Sequence, residues 1–153
     1  MPTMKTIEGI TGFKELAGQK LGESGWHEVT QEMIDKFADA TGDHQWIHVD
    51  RERAKAGPFG TTIAHGFLTL SLIPMLSGEV MKIDGIRMAI NYGLNRVRFP
   101  APVKSGTRVR AAVKNQSVDD FDGGIQVVNE VTIEIEDGGK PACVVETVSR
   151  FYG

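Results

Sequence analysis

Asp43-His44-Gln45-Trp46-Ile47-His48 gathers a carboxylate and two imidazoles in one short stretch, and Ala64-His65-Gly66 follows it at the head of an apolar run. A carboxylate can take a proton from water. An imidazole can orient that water or exchange a proton itself, and a helix N-terminus can stabilise a developing oxyanion. Together these meet the needs of hydration or dehydration beside a carbonyl. Asp43 and His48 span a segment that is not a regular helix throughout, so their side chains can converge on one cavity. Trp46, Ile47 and Phe59 would then exclude bulk solvent and draw both pKa values toward the working pH. At Gly66 the absence of a side chain lets a ligand come close to unpaired backbone N–H groups, where a thioester oxygen would fit. His65 can face the ligand or hold the loop by a hydrogen bond. The same residues also admit structural roles: Asp43 capping a turn, His48 as a satisfied core histidine, Gly66 as a point of tight packing.

A metal site competes for these side chains. His44 and His48 have i, i+4 spacing, with Asp43, Asp50 and His65 as further donors, but there is no cysteine pair and no His-Glu-x-x-His pattern. Gly42 and the turn-forming Asp43 oppose the helix that such spacing requires, so no metal is expected. Arg96 with Arg98, and Arg108 with Arg110, each share one face of a predicted strand, the usual pattern of a solvated face. They could also meet the phosphates of a coenzyme carrier, with Arg51, Arg53 and Lys55 as alternatives. A glycine-rich phosphate loop, a dinucleotide fingerprint and a serine nucleophile elbow are all absent from the sequence. Cys143, the single cysteine, reads as a small buried hydrophobe.

Several elements must position these groups. Phe13, Leu16 and Ala17 recur at helical spacing before Gly18, and Ser24 to Val29 reads as a brief strand. Thr30 is a predicted N-cap for a helix with Met33, Ile34, Phe37 and Ala38 on its apolar face, ending at Gly42 and delivering Asp43 into a loop. Asp50 caps a second short helix to about Lys55, and Gly57-Pro58-Phe59-Gly60 forces a turn. From Gly66 to Leu76 there is no charged residue, which predicts a helix buried all round, with Pro74 breaking or kinking its last turns. If buried, Thr69 and Ser71 need a preceding carbonyl or a pocket group as partner. Four strands follow, predicted at 86–99 with an interruption near Gly93, 107–117, 125–135 and 142–152. An antiparallel sheet wrapped around a long central apolar helix is the simplest α+β assembly, the hot-dog arrangement.

The chain of 153 residues fits one domain, 1–153, and its net charge of -3 argues against nucleic acid as main partner. One cysteine permits no internal disulfide, and no apolar run follows a basic start, so neither secretion nor membrane spanning is expected and the cytoplasm is the expected location.

Phe37-Ala-Asp-Ala-Thr-Gly-Asp-His-Gln-Trp-Ile-His48, the 57–60 turn, Ile63-Ala-His-Gly-Phe-Leu68 and Val97-Arg-Phe-Pro-Ala-Pro-Val103 together resemble the MaoC-like, R-specific enoyl-CoA hydratase family, in particular its short single-hot-dog hydratases and the NodN-like dehydratases. The resemblance implies that Asp43 and His48 are a catalytic pair activating water toward the β-carbon of a trans-2-enoyl thioester, with the Gly66 backbone receiving the thioester oxygen. It implies an R-3-hydroxyacyl product, the reverse dehydration, no metal or redox cofactor, CoA or acyl-carrier pantetheine as part of the substrate, and a homodimer. Many family members carry Asn-Pro where this chain has Gln45-Trp46, and Trp46 is expected to reshape the acyl pocket. A noncatalytic acyl-thioester binding module and a hot-dog acyl-CoA thioesterase are the alternatives.

Overall fold

Alternating β-branched and polar residues in the second half of the chain build the sheet that everything else packs on. In the computed structural model, which describes residues 3–153, the order is β1 (Lys5–Glu8), α1 (Gly9–Lys14), β2 (Lys20–Glu23), β3 (His27–Glu28), α2 (Gln31–Thr41), α3 (Trp46–Val49) and α4 (Arg51–Lys55). Then come α5 (Gly66–Ser71), α6 (Ile73–Val80), β4 (Met81–Asp84), β5 (Met88–Arg98), β6 (Arg108–Phe121), β7 (Gly124–Ile135) and β8 (Cys143–Tyr152). The main sheet runs β2-β6-β7-β8-β5, all antiparallel, with β3 also on β6. A short parallel pair, β1 with β4, lies apart from it and had no clear signal in the sequence.

The β6–β7 hairpin shows why the register holds. Val109, Ala111 and Val113 face the helix opposite Ile135, Ile133 and Val131, while Arg108 and Arg110 on the other face pair across the strands with Glu136 and Glu134. A one-residue slip would bury those charges. The register shift near Asn115 is satisfied internally: its amide nitrogen donates to Asn129 Oδ1 at 2.9 Å and its Oδ1 accepts from the Gly18 N–H at 3.0 Å. Cys143 is fully buried at the start of β8, and burial pushes its thiol up to about 11.

Leu68, Ile73, Leu76 and Val80 pack the two central helices into this sheet. The sheet therefore wraps a central helix as predicted, but two expectations about that helix change. It continues past Leu76 to Val80, with a one-residue turn at Leu72; Pro74 falls near the start of α6, where a missing N–H costs no hydrogen bond. Nor is it buried all round, since Phe67 is 69% exposed and Ser71, Pro74 and Met75 also face outward. Apolar composition alone does not say which face the sheet covers. The Ser71 hydroxyl, the predicted orphan, donates back to the Phe67 carbonyl at 2.7 Å. Other boundaries shift as well: α1 ends before Leu16 and Ala17, and within 24–29 only His27–Glu28 is strand. β5 is the edge strand, paired only with β8, and every one of its residues is exposed. Among the described residues, no helix is long and apolar enough to cross a membrane.

Candidate active site

The loop begins where α2 stops. Thr30 Oγ1 accepts from the Met33 N–H at 3.2 Å to start the helix, and Gly42, at φ +85°, ends it in the left-handed conformation that glycine adopts without strain. Asp43 therefore leaves the helix axis, and its carboxylate Oδ1 accepts from the Gln45 N–H at 3.3 Å in an Asx-type turn. α3 follows and carries His48 inward. Asp50 Oδ1 then caps α4 through the Arg53 N–H at 3.1 Å, as predicted, and the 57–60 turn sends the chain back along α3.

The returning segment locks His48 from two sides. Ile63 N–H donates to the Ile47 carbonyl at 3.0 Å, and the Ile63 carbonyl accepts from His48 Nδ1 at 2.8 Å. A carbonyl only accepts, so the neutral His48 ring carries its proton on Nδ1 and leaves Nε2 as an acceptor. From below, Gln31 Nε2 donates to the His48 carbonyl at 2.8 Å and Gln31 Oε1 accepts from Thr62 Oγ1. Burial lowers the His48 pKa, and nearby His65 adds to that; the Ile63 carbonyl and the Asp43 charge partly oppose them. These surroundings favour the neutral ring.

His65 performs the loop-holding role. Its Nε2 donates to the Asp43 carbonyl at 3.0 Å and its ring stacks on His48 with centroids 3.8 Å apart, leaving Nδ1 buried without a partner. Side-chain donor atoms of Asp43, His48 and His65 all lie within 4.8 Å of one another. Of the five donors weighed for a metal, these three meet, while His44 turns away to Asp39 and Asp50 is spent on its cap. The two rings are only 23° from parallel, so their in-plane lone pairs run side by side instead of converging on an ion. The cluster suits holding a water between a carboxylate and an imidazole acceptor.

Beside it lies a cavity of about 300 Å³, lined by His48, Phe59, Ile63, Gly66, Thr69 and Phe99 among others. Gly66 opens α5, so its N–H has no acceptor within the helix. A Cβ at Gly66 would come within 3.1 Å of the Phe99 ring. Phe59 is one of the residues lining the cavity wall. Trp46 is not: its ring lies against Gly57, where a Cβ would stand 3.0 Å from it, and carries the Arg53 guanidinium 4.4 Å from its centroid. It braces α3 on α4 outside the cavity lining. Phe99 is the lining residue that sequence reasoning did not single out here. The preference of Thr69 for a partner was visible, but the approach of Phe99 to Gly66 is a long-range contact with no local signal.

Comparison with known proteins gives three concordant results. The MaoC-like domain model matches residues 13–137. A 3-hydroxyacyl-thioester dehydratase Z from Mycobacterium tuberculosis is 54% identical over 149 residues, 97% of this chain and 99% of the relative, and a nodulation protein N from Rhizobium leguminosarum bv. viciae is 51% identical over 136 residues, 86% of this chain and 84% of the relative. Among solved structures, an (R)-hydratase from A. caviae involved in PHA biosynthesis superposes with a TM-score of 0.71 at 25% identity, covering 87% of this chain and 94% of that one.

Proposed function

This chain belongs to the MaoC-like dehydratase family, and from that premise we propose that it adds water to trans-2-enoyl thioesters to give R-3-hydroxyacyl thioesters and runs the reverse dehydration. The observation that carries the reading is the approach of Asp43 to the Nε2-bare imidazole of His48 beside a cavity that ends at Gly66.

A water between the Asp43 carboxylate and His48 Nε2 donates one proton toward each, which aims its lone pair at the β-carbon. As the C–O bond forms, Asp43 takes a proton and the π electrons move toward the thioester oxygen, whose negative charge the Gly66 N–H stabilises. The enolate collapses by taking at the α-carbon the proton that Asp43 removed, which returns Asp43 to the carboxylate, while water's second hydrogen stays on the new β-hydroxyl; both hydrogens and the oxygen are then accounted for and nothing is oxidised. This chemistry requires no metal or redox cofactor; CoA or an acyl-carrier pantetheine enters with the substrate. His65 and Phe59 serve the site as loop holder and wall.

The same proposal includes a homodimer, a single functional domain over the whole chain and a cytoplasmic location. The exposed β5 edge, with Met88, Ile90, Tyr92 and Leu94, supports the dimer, because a second copy adding its own β5 would pair the free edge and cover the apolar side chains together with Phe67 and Met75. The free, buried Cys143 suits a reducing compartment.

A chain-length series of trans-2-enoyl-CoA substrates tests the function, with the conjugated-alkene absorbance followed and the product resolved on a chiral column. R-3-hydroxyacyl-CoA is the expected product. No turnover at any length, with acyl-CoA binding retained, would leave the binding module; release of free thiol would indicate the thioesterase.

A further inference from the structure

Phe99 has no counterpart in the acid-base chemistry, yet the fold takes trouble to aim it. β5 loses register between Asn95 and Arg98, and within that bulge Arg96 adopts φ +47°, a left-handed backbone that a non-glycine residue rarely adopts. Pro100 follows directly and restricts Phe99 to an extended backbone. The bulge and the proline together turn the ring out of the sheet and lay it on Gly66, where three of its atoms lie 3.1 to 3.2 Å from the place a Cβ would occupy. Phe67 meets the ring nearly edge-on at 6.4 Å and 73°, which fixes its tilt.

We propose that Phe99 is a specificity-determining residue that restricts turnover to enoyl thioesters unbranched at the α-carbon. The inference rests on the hydration reading. A thioester oxygen accepting from the Gly66 N–H at about 2.9 Å puts its carbonyl carbon about 4 Å from that nitrogen, with the α-carbon one bond beyond. The β-carbon must point at Asp43 and His48. The α-carbon therefore passes the ring that covers Gly66, where a hydrogen fits and a methyl group would overlap the aromatic face. Gly66 is fixed in α5, and Phe99 is set between the Arg96 bulge and Pro100 in the chain, with Phe67 against its ring.

The test compares kcat/KM for a straight-chain trans-2-enoyl-CoA and its 2-methyl counterpart in the wild type, Phe99→Ala and Phe99→Leu. The wild type should reject the branched substrate. Phe99→Ala should raise the branched-to-unbranched ratio about tenfold or more, the scale on which a pocket discriminates one carbon, with Phe99→Leu between. If Phe99→Ala does not fold, Phe99→Leu carries the comparison. A wild type that accepts both alike, or a ratio unmoved in the folded variants, overturns the role of Phe99 while leaving hydration intact. A wild type inactive on every unbranched substrate overturns the hydration reading itself, so the two failures are distinguishable.

Discussion

The imidazole of His65 lies face to face on that of His48, 3.8 Å between centroids, and the two rings carry their protons on different nitrogens because each is fixed by a backbone carbonyl. One carbonyl belongs to Ile63 and holds His48; the other belongs to Asp43 and ties His65 to the carboxylate's own residue. A small rotation of either ring would disturb both halves of the pair.

Replacing His65 separates that positioning from stability. His65→Phe keeps the stack between His48 and Phe37 and deletes the unpartnered buried Nδ1, at the loss of one hydrogen bond to an exposed loop. An unsatisfied buried acceptor costs about 1–3 kcal/mol and an ordinary hydrogen bond contributes about 0.5–1.5, so Tm should hold or rise. Turnover should nonetheless fall, on the order of tenfold, because Asp43 loses its anchor. Thermal melts beside kcat measurements check both halves.

His48 gives stability a pH dependence of definite sign. Its folded pKa lies below the unfolded value, so between the two the unfolded chain binds the proton and the native state does not. Stability should therefore be full above about pH 6.5 and decline as pH falls through the window below it. His44 is raised by its bond to Asp39, so it acts in the opposite sense, its contribution being lost as pH rises above the same point. Melts of wild type and His48→Gln across this range should differ in slope on the acid side only.

The acid-base pair is tested by isosteric change. Asp43→Asn and His48→Gln should each lower kcat by roughly 10²–10⁴, the usual contribution of a positioned acid or base. Asp43 is exposed in the single chain and should leave Tm nearly unchanged. Circular dichroism and sedimentation on the same samples would show that fold and assembly persist.

Assembly through β5 is tested by placing charge on the edge. Ile90→Asp with Leu94→Lys should shift the protein from dimer to monomer in analytical ultracentrifugation, since both side chains are exposed on the edge strand, whose outer side is free. Activity measured on the resulting monomer reports whether the site needs the second copy.

Much of this site was legible because its signals are local. Thr30, Gly42 and Asp50 begin and end helices through contacts within a few residues, so the loop that carries Asp43 and His48 could be drawn from the sequence. The four long strands were readable from their β-branched content, and from alternation in 131–136, for the same reason. What stayed hidden depends on partners far along the chain: the Phe99 ring on Gly66, the parallel β1–β4 pair, and which face of the central helix the sheet would cover. Trp46 shows the limit from the other side. Its departure from the family pattern was visible, but its packing on Gly57 and Arg53, outside the residues that line the cavity, was not.

Cys143 gives the molecule a built-in clock. A thiol fully buried at the start of β8, opposite Ile133 of β7, and held near pKa 11, presents almost no thiolate to reagents while the sheet is closed. Alkylation of this lone side chain then proceeds only through openings that release β8, so its rate under native conditions measures the free energy of unzipping the strand, with no engineered probe.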